Sequence, residues 1–281
     1  MKIQYYGTGA GGGIPEIFCS CRVCMQARAE RGHNIRTRSQ AVIDDRLSIE
    51  FPVDTFCHTA FGGLDMRRIS HVLITHAHHD HFLLDDVISR PQGVAEPIRF
   101  YASEKSGAAL RQKLNATEEL YRTGKRIRTS EYQVLLENLE MYVPKMILDY
   151  MVIPLRARHA EAVDAMIFWI RSDDVNILWG HDTGLLPEEV IAYLKEAGVV
   201  FDMISLDCTL KRGEQITKSH MDLEWCRETV ERLRANHNAN ENTKVVLSHI
   251  GHLVERTHEE LVSEAAEYGF QVAYDGMVIE I

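Results

Sequence analysis

Short apolar runs rich in β-branched and aromatic residues recur along the whole chain, separated by polar or glycine-containing turns. Their length and spacing predict many strands with helices interleaved. Residues 1–8 alternate loosely and predict a first strand. Gln40-Ala41-Val42-Ile43-Asp44 and Leu47-Ser48-Ile49-Glu50-Phe51 predict a strand pair about the polar Asp44-Asp45-Arg46 turn, and a further short strand is expected to end at Asp54. His71-Val72-Leu73-Ile74-Thr75 and Ile98-Arg99-Phe100-Tyr101-Ala102 continue the series, with helical stretches at 25–30 and 106–114.

The second half returns to strands over 132–135, 151–155, 165–170 and 175–179. The pattern then alternates: a helix over 187–196 with Pro187 at its start, a strand over 201–206, a helix over 222–235, a strand over 244–248 and a helix over 255–268. At the end, Asp275-Gly276 sits between two alternating runs, which predicts a closing hairpin. No repeat or low-complexity linker divides the chain, so a single α/β (α+β) domain over 1–281 is expected.

Composition narrows the class. The chain has 281 residues, 45% of them hydrophobic and 26% charged, as in an ordinary globular protein. No apolar run approaches the ~18 residues of a membrane span, and the first residues lack a signal-peptide layout, so no membrane partner and a cytoplasmic location are expected. A formal charge of −10 argues against binding a nucleic acid polymer, whose affinity rests on Lys and Arg. The basic run Arg122-Thr123-Gly124-Lys125-Arg126-Ile127-Arg128 reads as a solvated face.

The densest chemistry is Thr75-His76-Ala77-His78-His79-Asp80-His81, delivered by a strand into a loop, with a helix expected just after it. Imidazole and carboxylate together suit divalent transition metals. Cys19-Ser20-Cys21-Arg22-Val23-Cys24 brings three thiols close enough to share one zinc, with a fourth ligand expected far along the chain. Gly7-Thr8-Gly9-Ala10-Gly11-Gly12-Gly13-Ile14-Pro15 lacks the ending of a P-loop and reads as a tight turn bordering the active site. Cys57 and His58 have no partner at ligand spacing and read as structural.

His159, Asp182 and His249 each lie just past the end of a predicted strand, as His76 and His78 do. Loops at one sheet edge can gather such residues. In that order they resemble the metallo-β-lactamase superfamily. The resemblance implies a four-layer αββα sandwich with a dinuclear metal centre. His76, His78 and His159 would hold one divalent metal, Asp80, His81 and His249 a second, and Asp182 would bridge them. His79 takes the variable position without being a ligand, and His181 a supporting one.

Within the superfamily, Gly7-Thr8-Gly9, Gly13-Ile14-Pro15 and the Cys triplet resemble the PhnP-type phosphoribosyl cyclic phosphodiesterases of bacterial phosphonate breakdown. That resemblance implies a small knuckle near the N-terminus with one structural zinc on Cys19, Cys21, Cys24 and His252. It also makes His220, in Ser219-His220-Met221-Asp222-Leu223, the general acid, and counts Asp80 with it as catalytic. The expected activity is hydrolysis of a small anionic phosphodiester, cyclic ribose esters among them, with Mn or Zn at the centre; a homodimer is allowed. Residues 83–148 hold more material than that family needs. Two other readings stand beside it. Pyrroloquinoline quinone biosynthesis protein B, a cofactor-pathway protein, has a similar opening but lacks the full His set, and an ester or thioester hydrolase would use the same ligands.

Overall fold

Alternation along the strands sorts the apolar side chains into three clusters, and this sorting builds the layers. The structure, a computed structural model, describes residues 1–83, 85–87, 96–120, 133–213 and 218–281. One sheet takes β1 (Lys2–Gly7), β2 (Gln40–Ile43), β3 (Leu47–Ile49), β4 (His71–Leu73), β5 (Ile98–Ala102) and β6 (Val134–Asn138). The other takes β7 (Lys145–Ile147), β8 (Tyr150–Arg156), β9 (Met166–Ser172), β10 (Val175–Gly180), β11 (Met203–Asp207), β12 (Lys244–Ser248) and β13 (Gln271–Val272). The last strand, β14 (Val278–Glu280), returns to the first sheet beside β1, so the orders are β14-β1-β2-β3-β4-β5-β6 and β13-β12-β11-β10-β9-β8-β7.

Ile3, Tyr5, Ala41, Ile43, Leu73, Phe168, Trp179 and Val246 point between the sheets and form the inner core. Their neighbours point the other way. Val42, Val72, Phe100 and Ala102 cover the outer face of the first sheet with Leu110 from α3 (Glu104–Leu120). Leu178, Ile204, Leu206, Val245 and Leu247 pack outward from the second sheet. They meet α1 (Arg22–Glu30), α4 (Glu188–Ala197), α5 (Leu223–Ala235) and α6 (His258–Ala266). The result is the four-layer αββα metallo-β-lactamase sandwich. Tyr5 Oη and Ser205 Oγ lie 2.8 Å apart across the inner core and hydrogen-bond one sheet to the other. Among the described residues no helix is long and apolar enough to cross a membrane.

Each sheet is antiparallel on one side and parallel on the other. The strands β3 to β6 run parallel in the first sheet and β10 to β13 in the second, and the C-terminal ends of these strands carry the chemistry. Glu50, Asp182 and His249, each at or just past such an end, have positive φ of 71°, 54° and 51°. Left-handed backbone at a residue other than Gly costs about 1–3 kcal/mol and concentrates at functional sites.

Two expectations need correction. Asp275-Gly276 does not close a hairpin, because β13 pairs with β12 and β14 with β1, in different sheets. The Asp275 carboxylate instead accepts from the backbone N–H and the hydroxyl of both Thr8 and Thr37, at 2.6 to 2.9 Å, which ties the crossing to the first loop. No strand ends at Asp54; the chain turns there into α2 (Thr55–Ala60), on which His58 is buried and bonded to Gln40 Oε1 and Thr37 Oγ1. Just after His81, Phe82 makes a parallel bridge with Phe51, and the helix expected there falls on a stretch that lies largely outside the described residues. β7 has too few alternating residues to have been predicted. The basic run at 122–128 lies outside the described residues.

Candidate metal centre

β4 delivers His76 and His78 to the sheet edge, where their ligand atoms meet those of His159 and Asp182 within 4.8 Å of one another. His76 Nε2 lies 2.8 Å from His78 Nδ1 and 3.0 Å from Asp182 Oδ2, and His159 Nε2 lies 3.3 Å from His78 Nδ1. Asp80, His81, Asp182 and His249 form a second group on the same terms, so Asp182 is common to both. His81 Nε2 is 3.1 Å from Asp182 Oδ2 and 3.2 Å from Asp80 Oδ2. His79 turns outward, with 76% of its side chain exposed, and joins neither group.

The hydrogen bonds around these groups aim bare nitrogens inward. The Thr75 hydroxyl donates to Glu50 Oε1 at 2.6 Å, so toward His76 Nδ1, 3.0 Å away, it can only accept. That leaves His76 Nε2 without a proton. The Thr209 hydroxyl likewise donates to the His249 carbonyl oxygen, and with Asp207 Oδ2 takes up the Nδ1 side of that ring. His249 Nε2, both ring nitrogens of His81 and Asp182 Oδ1 are then buried with no hydrogen bond at all. Orphaned buried polar atoms are costly, and when neighbouring ones are Lewis bases the group that satisfies them is a cation. The residues fit two divalent ions.

Charge says the same. The carboxylates of Asp182 and Asp80 are held well below the usual range, against their burial, by His249, His76 and His81 for the first and by His81 and His249 for the second. Burial, reinforced by the neighbouring His81, pushes His76 down to about 3, so this imidazole is neutral, as a ligand must be.

Two supporting carboxylates were not anticipated from the sequence. Glu50, 1% exposed, lies behind His76 through Thr75 and has Oε1 3.2 Å from His81 Nδ1. Asp207, fully buried at the end of β11, has Oδ2 3.0 Å from His220 Nδ1 and 3.1 Å from His249 Nδ1. Asp207 thus stands against two imidazoles directly, while Glu50 reaches His76 through Thr75 and lies beside His81. Although burial opposes its charge, His220 is held up to about 9 by Asp207, then by Asp182 and Asp80. His181 is a buried link between Ser39 Oγ and Ser205 Oγ and reaches neither group.

The knuckle assembles separately. Cys19, Cys21, Cys24 and His252 converge, with Cys19 Sγ and Cys21 Sγ at 3.3 and 3.5 Å from His252 Nδ1. Tetrahedral zinc with ordinary Zn–S and Zn–N lengths spaces sulfur and nitrogen by about 3.5 Å. Backbone N–H groups of Cys21, Cys24 and Glu16 point at the three sulfurs, and His252 Nε2 lies 2.7 Å from Glu16 Oε2, a carboxylate placed to fix the ring. Between knuckle and paired groups lies a cavity of about 230 Å³, lined by Gly11, Gly12, Glu16, Asp80, His220 and Leu253 among others. The glycine-rich segment is therefore the tight turn at the site: Gly13 N bonds Ala10 O at 2.8 Å, and a Cβ on Gly11 would stand 3.1 Å from Asp80 Oδ2.

The model of the beta-lactamase superfamily domain matches residues 56–250. Among solved structures, the chain is similar to a diphosphatase from the PhnP family, at 22% identity and TM-score 0.75, over 100% of this chain and 97% of that one. It is similar to zinc-bound PqqB from Methylobacterium extorquens at 17% identity and TM-score 0.74, over 100% of both chains. Human tRNase Z, short form, matches at 19% identity and TM-score 0.65, over 100% and 99%. At these identities the likeness is one of fold. An octanoyltransferase of Porphyromonas gingivalis (strain ATCC BAA-308 / W83) is 36% identical over 85 residues, 29% of this chain, which spans only 16% of that relative's length.

Proposed function

The chain belongs to the beta-lactamase superfamily, and from that premise we propose that it is a metal-dependent phosphodiesterase acting on a small anionic phosphodiester, cyclic ribose esters included. The observation that carries the reading is the meeting of two ligand groups on Asp182, with the His220–Asp207 pair against them and His220 Nδ1 3.1 Å from Asp182 Oδ1. His76, His78 and His159 would hold one divalent ion, Asp80, His81 and His249 the other, with Asp182 between, and Mn or Zn suits the donors. When bound, such ions supply Lewis acidity toward phosphoryl oxygens and lower the pKa of water. The residues do the rest. Asp207 engages His220 Nδ1, which leaves Nε2 as the atom able to give a proton to the leaving alkoxide. The likeness to an octanoyltransferase covers 29% of this chain and 16% of that relative's length, and so does not carry an acyl-ester reading of this site.

Bis-p-nitrophenyl phosphate tests the proposal. Turnover is expected with added Mn or Zn and is expected to stop on chelation; no metal-dependent turnover of it or of a cyclic phosphodiester would overturn the phosphodiesterase reading. We further propose one structural zinc on Cys19, Cys21, Cys24 and His252. Cys21→Ser is then expected to lose about one equivalent of zinc by elemental analysis, to keep the other ions, and to unfold at a lower temperature, since structural zinc contributes folding energy. Unchanged zinc content would remove the knuckle site and leave the paired centre standing.

A further inference from the structure

Glu16 belongs to two places at once. Its Oε2 is 2.7 Å from His252 Nε2, behind the Cys knuckle, while the residue also lines the cavity with Gly11, Gly12 and Leu253. The carboxylate lies close over Gly12: a Cβ there would stand 3.0 Å from Glu16 Cδ and 3.2 Å from Oε1. Orienting His252 takes one carboxylate oxygen. Oε1 is surplus to that task and has no hydrogen-bond partner among the described residues. The backbone N–H groups of Gly11 and Gly12 are also without a partner among the described residues, whereas those of Gly9, Ala10, Gly13 and Ile14 are all bonded. This wall of the cavity therefore offers two donors and one negatively charged acceptor.

A carboxylate facing the path of an anionic substrate is repulsive unless the substrate brings a donor to it. We propose that Glu16 is a specificity-determining residue: Oε1 accepts from a hydroxyl on the group esterified to the phosphate, while the Gly11 and Gly12 amides donate to a phosphoryl oxygen. The knuckle then does more than stabilise the fold. Through His252 it fixes the carboxylate that selects phosphoesters of polyols and sugars over plain alkyl or aryl ones. The proposal rests on the phosphodiesterase reading and narrows it.

Glycerol 2-phosphate and isopropyl phosphate share a skeleton and differ in the hydroxyls beside the phosphate, so they probe the wall directly. Calorimetric titration of the metal-loaded protein is expected to show glycerol 2-phosphate binding about tenfold more tightly, the scale of one hydrogen bond to a charged group. In Glu16→Gln, which keeps the shape and can still accept from His252, the ratio is expected to fall to about twofold with zinc content unchanged. Glu16→Ala should bring the ratio to about one. A wild-type ratio near one, or a ratio that survives in Glu16→Gln, overturns the proposal. Failure to bind either phosphate overturns it too, and turnover of bis-p-nitrophenyl phosphate by the same preparation then shows whether the broader reading falls with it.

Discussion

Asp182→Asn is expected to empty both metal pockets and lower kcat/KM on a phosphodiester by at least about 10³-fold. Asp182 is the one residue common to the two ligand groups, with Oδ2 at 3.0 Å from His76 and 3.1 Å from His81. Each bound ion would lose its shared anionic donor, and a carboxylate bridge is not replaced by an amide that offers one neutral oxygen. Asparagine is the right probe because residue 182 has φ 54°, a conformation that Asn adopts readily and Ala does not. Asp80→Asn, which touches only one group, supplies the contrast: about one equivalent of metal should go rather than two. Elemental analysis after dialysis checks both. If Asp182→Asn kept two equivalents, Asp182 would not be the bridge.

Much of this site could be read in the sequence because its strongest signal is local. Four of the residues that matter, His76, His78, Asp80 and His81, fall within six positions, and the others follow predicted strands in an order that a β-sheet edge brings together. What escaped is what contact alone defines. Asp207 ends β11 just as His249 follows β12, so the strand-end rule that points to His249 points to it as well. Glu50 gave no such signal. The sequence reads it as part of the strand 47–51, where a polar residue normally faces water, whereas the structure ends β3 at Ile49 and buries Glu50 beside Thr75 and His81. The final hairpin failed for a related reason: the Asp-Gly signal specifies a turn but not which sheet each arm will join. Here Thr8 and Thr37 capture the Asp275 carboxylate, and the arms part.

The His220–Asp207 pair carries the second large effect, and it separates proton donation from metal binding. His220→Ala should slow hydrolysis of a methyl or other alkyl phosphodiester by about 10²–10⁴-fold, the usual worth of general acid catalysis. Bis-p-nitrophenyl phosphate should be affected far less, because p-nitrophenolate leaves without being protonated. Metal content should be unchanged if His220 serves as acid rather than ligand. That outcome is not automatic, because Asp182, Asp207, His220 and His249 also lie close enough to form a group of their own. Asp207→Asn should behave differently. Its carboxylate orients His220 at 3.0 Å and His249 at 3.1 Å, so the variant should lose alkyl-diester activity and also weaken metal binding about 10–100-fold. The two changes act on one proton path, so the double variant should cost alkyl-diester turnover little beyond Asp207→Asn alone. Equal losses on alkyl and aryl substrates in His220→Ala, together with a missing equivalent of metal, would instead make His220 a ligand and leave protonation of the alkoxide to water.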